Sequence, residues 1–248
     1  MKLTMIGLFP PIKAISPYCL HLFQEIASRI DADYIGFFSL PDFFHNWGSR
    51  DSNCVNGISL YMDCCRNVVS NCQFNTCSWG FTIQGSSRSN TLLNNTITDS
   101  PEAAILVEGS LNTISNNTIS HATFGISLTT IHPFEQPSHT KSRRGNLVSS
   151  NSVHDAQYGI LVGACFTDIK SNRITGCQLG IGVIDLVLFS FETLPGNKIQ
   201  GNSLENNQQG LVMVATVFTT IQLFHIKRGT GVLQGGRVNR SDRWYPLL

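Results

Sequence analysis

A mainly β solenoid is what this sequence predicts for residues 53–217, and three observations predict it. Six stretches repeat the same columns of residues. The repeats start at Asn67, Asn90, Asn112, Asn146, Thr167 and Asn197, so the steps are 23, 22, 34, 21 and 30 residues. A basic period of 21 to 23 with two insertions marks a stacked-repeat architecture. Within each unit the apolar residues recur at spacing two, in short runs broken by Asn, Gly and Ser. That is the period of strands, not of helices.

The columns are specific. Two residues after each start stands Val69, Leu92, Ile114, Val148, Ile169 or Ile199. Next comes Cys72, Asn95, Asn117, Asn151, Asn172 or Asn202, and two further on Phe74, Ile97, Ile119, Val153, Ile174 or Leu204. A small residue follows: Gly80, Ala104, Gly125, Gly159, Gly180 or Gly210. Directly after it stands Phe81, Ile105, Ile126, Ile160, Ile181 or Leu211, then Ile83, Val107, Leu128, Val162, Val183 or Met213. The unit reads N-x-[IVL]-x-x-N-x-[IVL]-x5-G-[IL]-x-[ILV]. A leucine-rich repeat would need more Leu and a single Asn column, so a parallel β-helix is favoured. Each unit is then one coil of about three short strands, pairing with the next coil at roughly 4.8 Å. Ile and Val fill the interior. Asn is expected at the bends, tolerating left-handed backbone and bonding local backbone or its stacked neighbours. Gly is expected at a bend that a Cβ would crowd.

These repeats resemble the right-handed parallel β-helix proteins of the pectate-lyase-like group, and above all their NosD-type Asn-rich repeats. The resemblance implies a single-stranded right-handed parallel β-helix solenoid. It implies a function among polysaccharide lyases, hydrolases and epimerases, carbohydrate-binding surface proteins, and factors linked to copper-centre assembly. It also implies an exported or cell-surface protein. The start, Met1 to Phe9, has too short an apolar core to be a convincing export signal.

Residues 1–50 fall outside the repeat. Leu3 to Phe9 reads as a strand, Pro17 to Ile30 as an amphipathic helix with Ser16 as its N-cap, and Asp33 to Leu40 as a second strand. The string Met5 to Ser16 resembles the first strand and loop of GT-B glycosyltransferases, with Lys13 and Ala14 where that family has glycines. This β-α-β segment is expected to cap the open end of the solenoid, or to be the scar of a fusion or truncation. Beyond residue 217, a last strand is expected within Thr219 to Ile226, followed by a loose tail.

Composition narrows the partners. Charged residues are 13% and the net charge is +1, with no basic stripe, which argues against nucleic acid. No apolar run approaches the ~20 residues of a membrane span. No cofactor or metal is expected, and the chain is expected to be a monomer. The eight cysteines show no CxxC pair. They are expected as small buried residues, with a disulfide near the N-terminal end of the solenoid as the alternative.

Two regions are candidates for function. The insertions at residues 130–145 and 184–196 follow the same strand of the unit, so they should leave the same edge roughly 10 Å apart. The first contains His132, Glu135, His139, Lys141, Arg143 and Arg144; the second contains Asp185 and the apolar run Leu186 to Phe189. These residues are expected to bind a polysaccharide, acidic sugars being suited to the Lys141, Arg143 and Arg144 cluster. The second region is one charged column. Asp99, His121 and Asp155 stand at equivalent places in three consecutive coils, which would put the imidazole between two carboxylates about 5 Å away. Such a set suits metal binding or acid/base chemistry; it also suits a solvated turn. The motifs of pectin hydrolases, mannuronan epimerases and calcium nonapeptides are absent. The sequence is therefore read as a carbohydrate-associated β-helix that binds a polysaccharide without demonstrable catalysis. A lyase, hydrolase or epimerase, and a degenerate fragment with a structural role only, are the alternatives.

Overall fold

The structure is a computed structural model. It describes residues 55–129, 145–184 and 197–216, apart from 62–63, 86 and 165, together with the backbone of seven flanking strands at 34–38, 45–47, 50–52, 220–222, 225–227, 230–236 and 239–240. Every strand pairing is parallel. The strands form three ladders along one axis. Ladder one runs from His45–Trp47 through Val68–Ser70, Thr91–Leu93, Thr113–Ser115, Leu147–Ser149, Asp168–Lys170 and Lys198–Gln200 to Thr220–Gln222 and Asn239–Arg240. Ladder two runs from Arg50–Ser52 and Gln73–Asn75 through Ser152–His154, Arg173–Thr175 and Ser203–Glu205 to His225–Lys227. Ladder three includes Tyr34–Phe38, Asn56–Tyr61, Trp79–Ile83, Tyr158–Gly163, Leu179–Ile184, Gln209–Thr216 and Thr230–Gly236. In two coils, ladders two and three are one continuous strand, Thr96–Val107 and Thr118–Thr129. This is the parallel β-helix that the repeats predict, of the right-handed kind that their resemblance implies.

The solenoid is longer at both ends than residues 53–217. The strands at 34–38, 45–47 and 50–52 pair with the coil that follows, and the ladders continue through 230–236 and 239–240, where a loose tail was expected. These flanking coils lack the Asn and Gly columns, which left them illegible. The helix expected over 17–30, both insertions and residues 241–248 lie outside the described residues.

The apolar columns meet inside. Every one of the aligned Ile, Val, Leu, Phe and Met positions from Val69 to Met213 is at most 5% exposed. Stacking at strand spacing lets each β-branched side chain lie on its copy in the next coil, so burial is continuous along the axis.

The Asn columns bond their stacked neighbours as expected but do not themselves take the left-handed bend. The left-handed residue stands one before the buried position in most coils: Arg66, Asn71, Ser89, Asn94, Leu111, Asn116, Ser150, Phe166, Ser171 and Gly201 all have φ between 55 and 61°. The Asn side chain points inward and bonds between coils, not to local backbone. Asn117 is typical. Its Oδ1 accepts from the Asn95 backbone N–H at 2.9 Å and from Asn95 Nδ2 at 3.0 Å, while its Nδ2 donates to Leu92 O at 3.2 Å and Asn151 Oδ1 at 3.0 Å. The amide thus closes the hydrogen bonding of three coils at a corner where the sheet ladder breaks.

The Gly column sits inside ladder three, not at a bend. A Cβ on Gly125 would lie 2.5 Å from Gly159 O and 2.6 Å from Val153 Cγ1, and Gly80, Gly159 and Gly180 meet the next coil in the same way. Ala104 keeps the column's register; ahead of it Thr96–Val107 carries one extra residue, and the pairing shifts between Ala122 and Phe124 as a bulge.

Cys64, Cys72 and Cys177 are buried thiols and Cys65 a half-buried one. Burial pushes the Cys177 thiol from 9.0 up to about 11. Cys77 is disulfide-bonded.

Candidate functional site

The corner between ladders two and three is a column of left-handed residues: Thr76, Asp99, His121, Asp155, Gly176 and Asn206, with φ from 52 to 69°. Asn, Asp, His and Gly are the residues that tolerate this conformation, which accounts for the column's polarity. The register brings Asp99, His121 and Asp155 to neighbouring coils, but the imidazole is not held between two carboxylates. His121 Nδ1 lies 3.2 Å from Asp99 Oδ1. Asp155 instead meets its chain neighbour, with Oδ2 3.2 Å from His154 Nδ1. The two rings meet edge to face, with centroids 5.9 Å apart. The corner therefore carries two carboxylate–imidazole pairs, each engaged through Nδ1, with more than half of the His121, Asp99 and Asp155 side chains exposed. Gly176 makes room for this: a Cβ there would lie 2.5 Å from Asp155 Oδ1. His154 joins the set because it is the last residue of Ser152–His154, opposite Ser120, and faces out.

Three residues past this corner the chain enters ladder three, whose outer face is apolar around Tyr158, Leu161, Leu179 and Val212. Phe124 and Tyr158 pair in register and stack with centroids 5.0 Å apart and planes 13° from parallel. They head an open groove of about 300 Å³ lined by Leu161, Leu179, Gly182, Val183, Ile184, Val212 and Val214. The sequence carries the signal for it: Trp79, Phe124, Tyr158 and Leu179 occupy the first position of ladder three, an outward column where polar residues are the rule.

The far edge of the same face is where the insertions leave. One departs after Thr129 and the other after Ile184. Leu128 pairs with Val162 and Val162 with Val183, so the exits are two strands apart, about 10 Å. The groove lies between the corner pairs and these exits. His132, Glu135, His139, Lys141, Arg143, Arg144 and Asp185 themselves lie outside the described residues.

Residues 43–133 match a protein family described as "Periplasmic copper-binding protein (NosD)". The described residues do not fit a copper centre: among them, no group of three or more His, Cys, Asp or Glu side chains could hold a metal ion. No curated protein matches the chain. Among solved structures, the tailspike protein of E. coli bacteriophage HK620, determined with a pentasaccharide, superposes with a TM-score of 0.58 at 9% identity. The match covers 82% of this chain and 44% of the tailspike, so the chain spans less than half of that protein's length. The catalytic domain of a GH87 α-1,3-glucanase in complex with nigerose gives a TM-score of 0.43 at 12% identity, over 93% of this chain and 59% of that one. Among the described residues, no helix is long and apolar enough to cross a membrane. In fold and repeat, the chain is a right-handed parallel β-helix whose units resemble those of the NosD proteins.

Proposed function

We propose that this β-helix binds a polysaccharide along the outer face of ladder three, without cleaving it. The observation that carries the reading is the groove headed by the stacked Phe124–Tyr158 pair and bounded by the exits of both insertions. Sugar rings have apolar C–H faces and polar rims. A rigid aromatic pair beside an aliphatic floor takes the former, and polar groups at the edges take the latter. Solenoids place long insertions on the face they bind with. A repeating ladder also presents the same contacts at fixed steps along one axis, which suits a polymer. The tailspike that shares the fold was solved with a pentasaccharide, a precedent for a glycan on such a scaffold.

The test is a glycan array with the full chain, followed by titration of the best hit and product analysis. Binding without release of oligosaccharides is expected. Replacing Phe124 and Tyr158 together by Ala should weaken it at least about tenfold, since each buried aromatic contact contributes on the order of 1 kcal/mol. A double variant that binds as wild type would place the site elsewhere.

A second reading is favoured by the corner. Two imidazoles, each oriented by a carboxylate at 3.2 Å, form a pattern that acid/base catalysis uses. In that reading Asp99 and Asp155 orient, His121 and His154 move protons, and the polysaccharide is cut. Release of new chain ends, abolished in His121→Gln, would put the enzyme reading first.

A further inference from the structure

We infer that the corner between ladders one and two carries an N-linked glycan, and that its acceptors are Asn94 and Asn116. A Thr stands two residues after each, giving Asn94-Asn95-Thr96 and Asn116-Asn117-Thr118. Asn-x-Ser/Thr, with x other than Pro, is the acceptor pattern of N-glycosylation, and the bulky product has to stand in solvent. A third copy of the pattern, Asn239-Arg240-Ser241, runs beyond the described residues.

The geometry separates these two asparagines from the buried ones of the repeat. Each corner holds two adjacent Asn with opposite surroundings. Asn95 and Asn117 turn inward, are at most 3% exposed, and donate from Nδ2 to neighbouring coils. Asn94 and Asn116 are exposed. Thr96 and Thr118 are exposed too, each as the first residue of its strand, Thr96–Val107 and Thr118–Thr129. Among the described residues, no side-chain hydrogen bond holds the amide of Asn94 or Asn116, or the hydroxyl of Thr96 or Thr118.

The left-handed position at this corner is filled in successive coils by Asn71, Asn94, Asn116, Ser150, Ser171 and Gly201. The backbone therefore accepts Asn there without requiring it. Two residues on, the strand column reads Gln73, Thr96, Thr118, Ser152, Arg173 and Ser203. An exposed Asn and a following hydroxyl coincide in the coils of Asn94 and Asn116, which are neighbours. Thr96 pairs with Thr118, so the two acceptors stand one strand apart, about 4.8 Å, and form one patch. Ladder three does not share this corner. A glycan here leaves the Phe124–Tyr158 groove clear, and the inference is independent of what that groove binds.

The donor is an oligosaccharide linked to a lipid through pyrophosphate. A bond forms between Asn Nδ2 and C1 of the first sugar as the C1–O bond to pyrophosphate breaks. One amide proton leaves, and the lipid pyrophosphate takes it up; nothing is oxidised or reduced. Chains that carry such a glycan are exported ones.

Mass mapping of the full chain, purified from the cells that make it, tests the inference. Trypsin with a glutamyl endopeptidase separates the acceptors into Ser89–Glu102 and Gly109–Glu135. One or both peptides should be heavier than their sequence by a series of sugar units, with the first sugar on Asn94 or Asn116. Thr96→Val and Thr118→Val together keep β-branched strand residues and both left-handed Asn, so the circular dichroism spectrum should be unchanged while the added mass disappears. Thr96→Ser and Thr118→Ser together keep the hydroxyls and should keep the added mass. Both peptides at their unmodified masses in the wild-type chain would overturn the inference. So would added mass that survives the double Val variant, or sugar on Asn95 or Asn117 instead.

Discussion

Replacing Asn117 by Ala should destabilise this protein as much as truncating its core. Asn117 is 1% exposed and its side chain makes four hydrogen bonds, to Leu92, Asn95 and Asn151. Alanine would orphan the Asn95 backbone N–H, whose partner here is Asn117 Oδ1. An orphaned buried donor costs about 2 kcal/mol, and each of the three other lost bonds about 1 kcal/mol, so the loss is about 5 kcal/mol. Ile119→Ala, two residues on and fully buried, should cost about 2–5 kcal/mol through transfer and cavity terms. Urea unfolding of both variants, followed by circular dichroism, is the assay, with a β-dominated spectrum at the start. Asn116→Ala is the comparison. Asn116 holds the left-handed bend with φ of 55° and is exposed, so it should cost only about 1 kcal/mol. An Asn117→Ala variant that loses no more than Asn116→Ala would refute the amide ladder as a source of stability.

Thr167 interrupts the first Asn column, and its buried Oγ1 has no hydrogen-bond partner. Thr167→Asn should restore the ladder and raise stability by about 1 kcal/mol, read as a melting temperature about 2–4 °C higher. Gly125→Ala should cost about 1–3 kcal/mol, because its Cβ would press on the Gly159 carbonyl oxygen, which the ladder holds in place; denaturant midpoints measure it. The Cys177 thiol, pushed by burial from 9.0 to about 11, keeps its proton in the folded chain after the unfolded chain has lost it. Its contribution is full below pH 9 and declines as pH rises from 9 to 11, so wild type should lose stability relative to Cys177→Ala over that window in pH-dependent unfolding. Replacing Lys141, Arg143 and Arg144 together by Ala should leave the melting temperature nearly unchanged, while weakening binding to an acidic glycan and flattening its salt dependence in titrations from low to high salt.

The sequence by itself determined the solenoid. Parallel coils stack like on like, so each interior position recurs as a column, and columns of Ile, Val and Asn are visible in one dimension. It also determined where the insertions leave, because both interrupt the unit after the same strand. Only the tertiary structure decided how the columns are used. Whether an Asn occupies the left-handed bend or the residue after it depends on backbone torsions that no spacing reveals, and in most coils the residue before the buried position takes the bend. Whether His121 meets Asp155 or His154 depends on side-chain directions at a corner, where a step of one residue turns the chain from one face to the next. The groove leaves no trace in the repeat for a related reason. Its lining is drawn mostly from outward positions, which vary between coils because the core does not constrain them, and their shared apolar character appears only once four coils lie side by side. The strands at 34–38, 45–47, 50–52, 230–236 and 239–240 were hidden because parallel backbone pairing needs no particular side chain, so a strand without the Asn and Gly columns leaves no periodic trace.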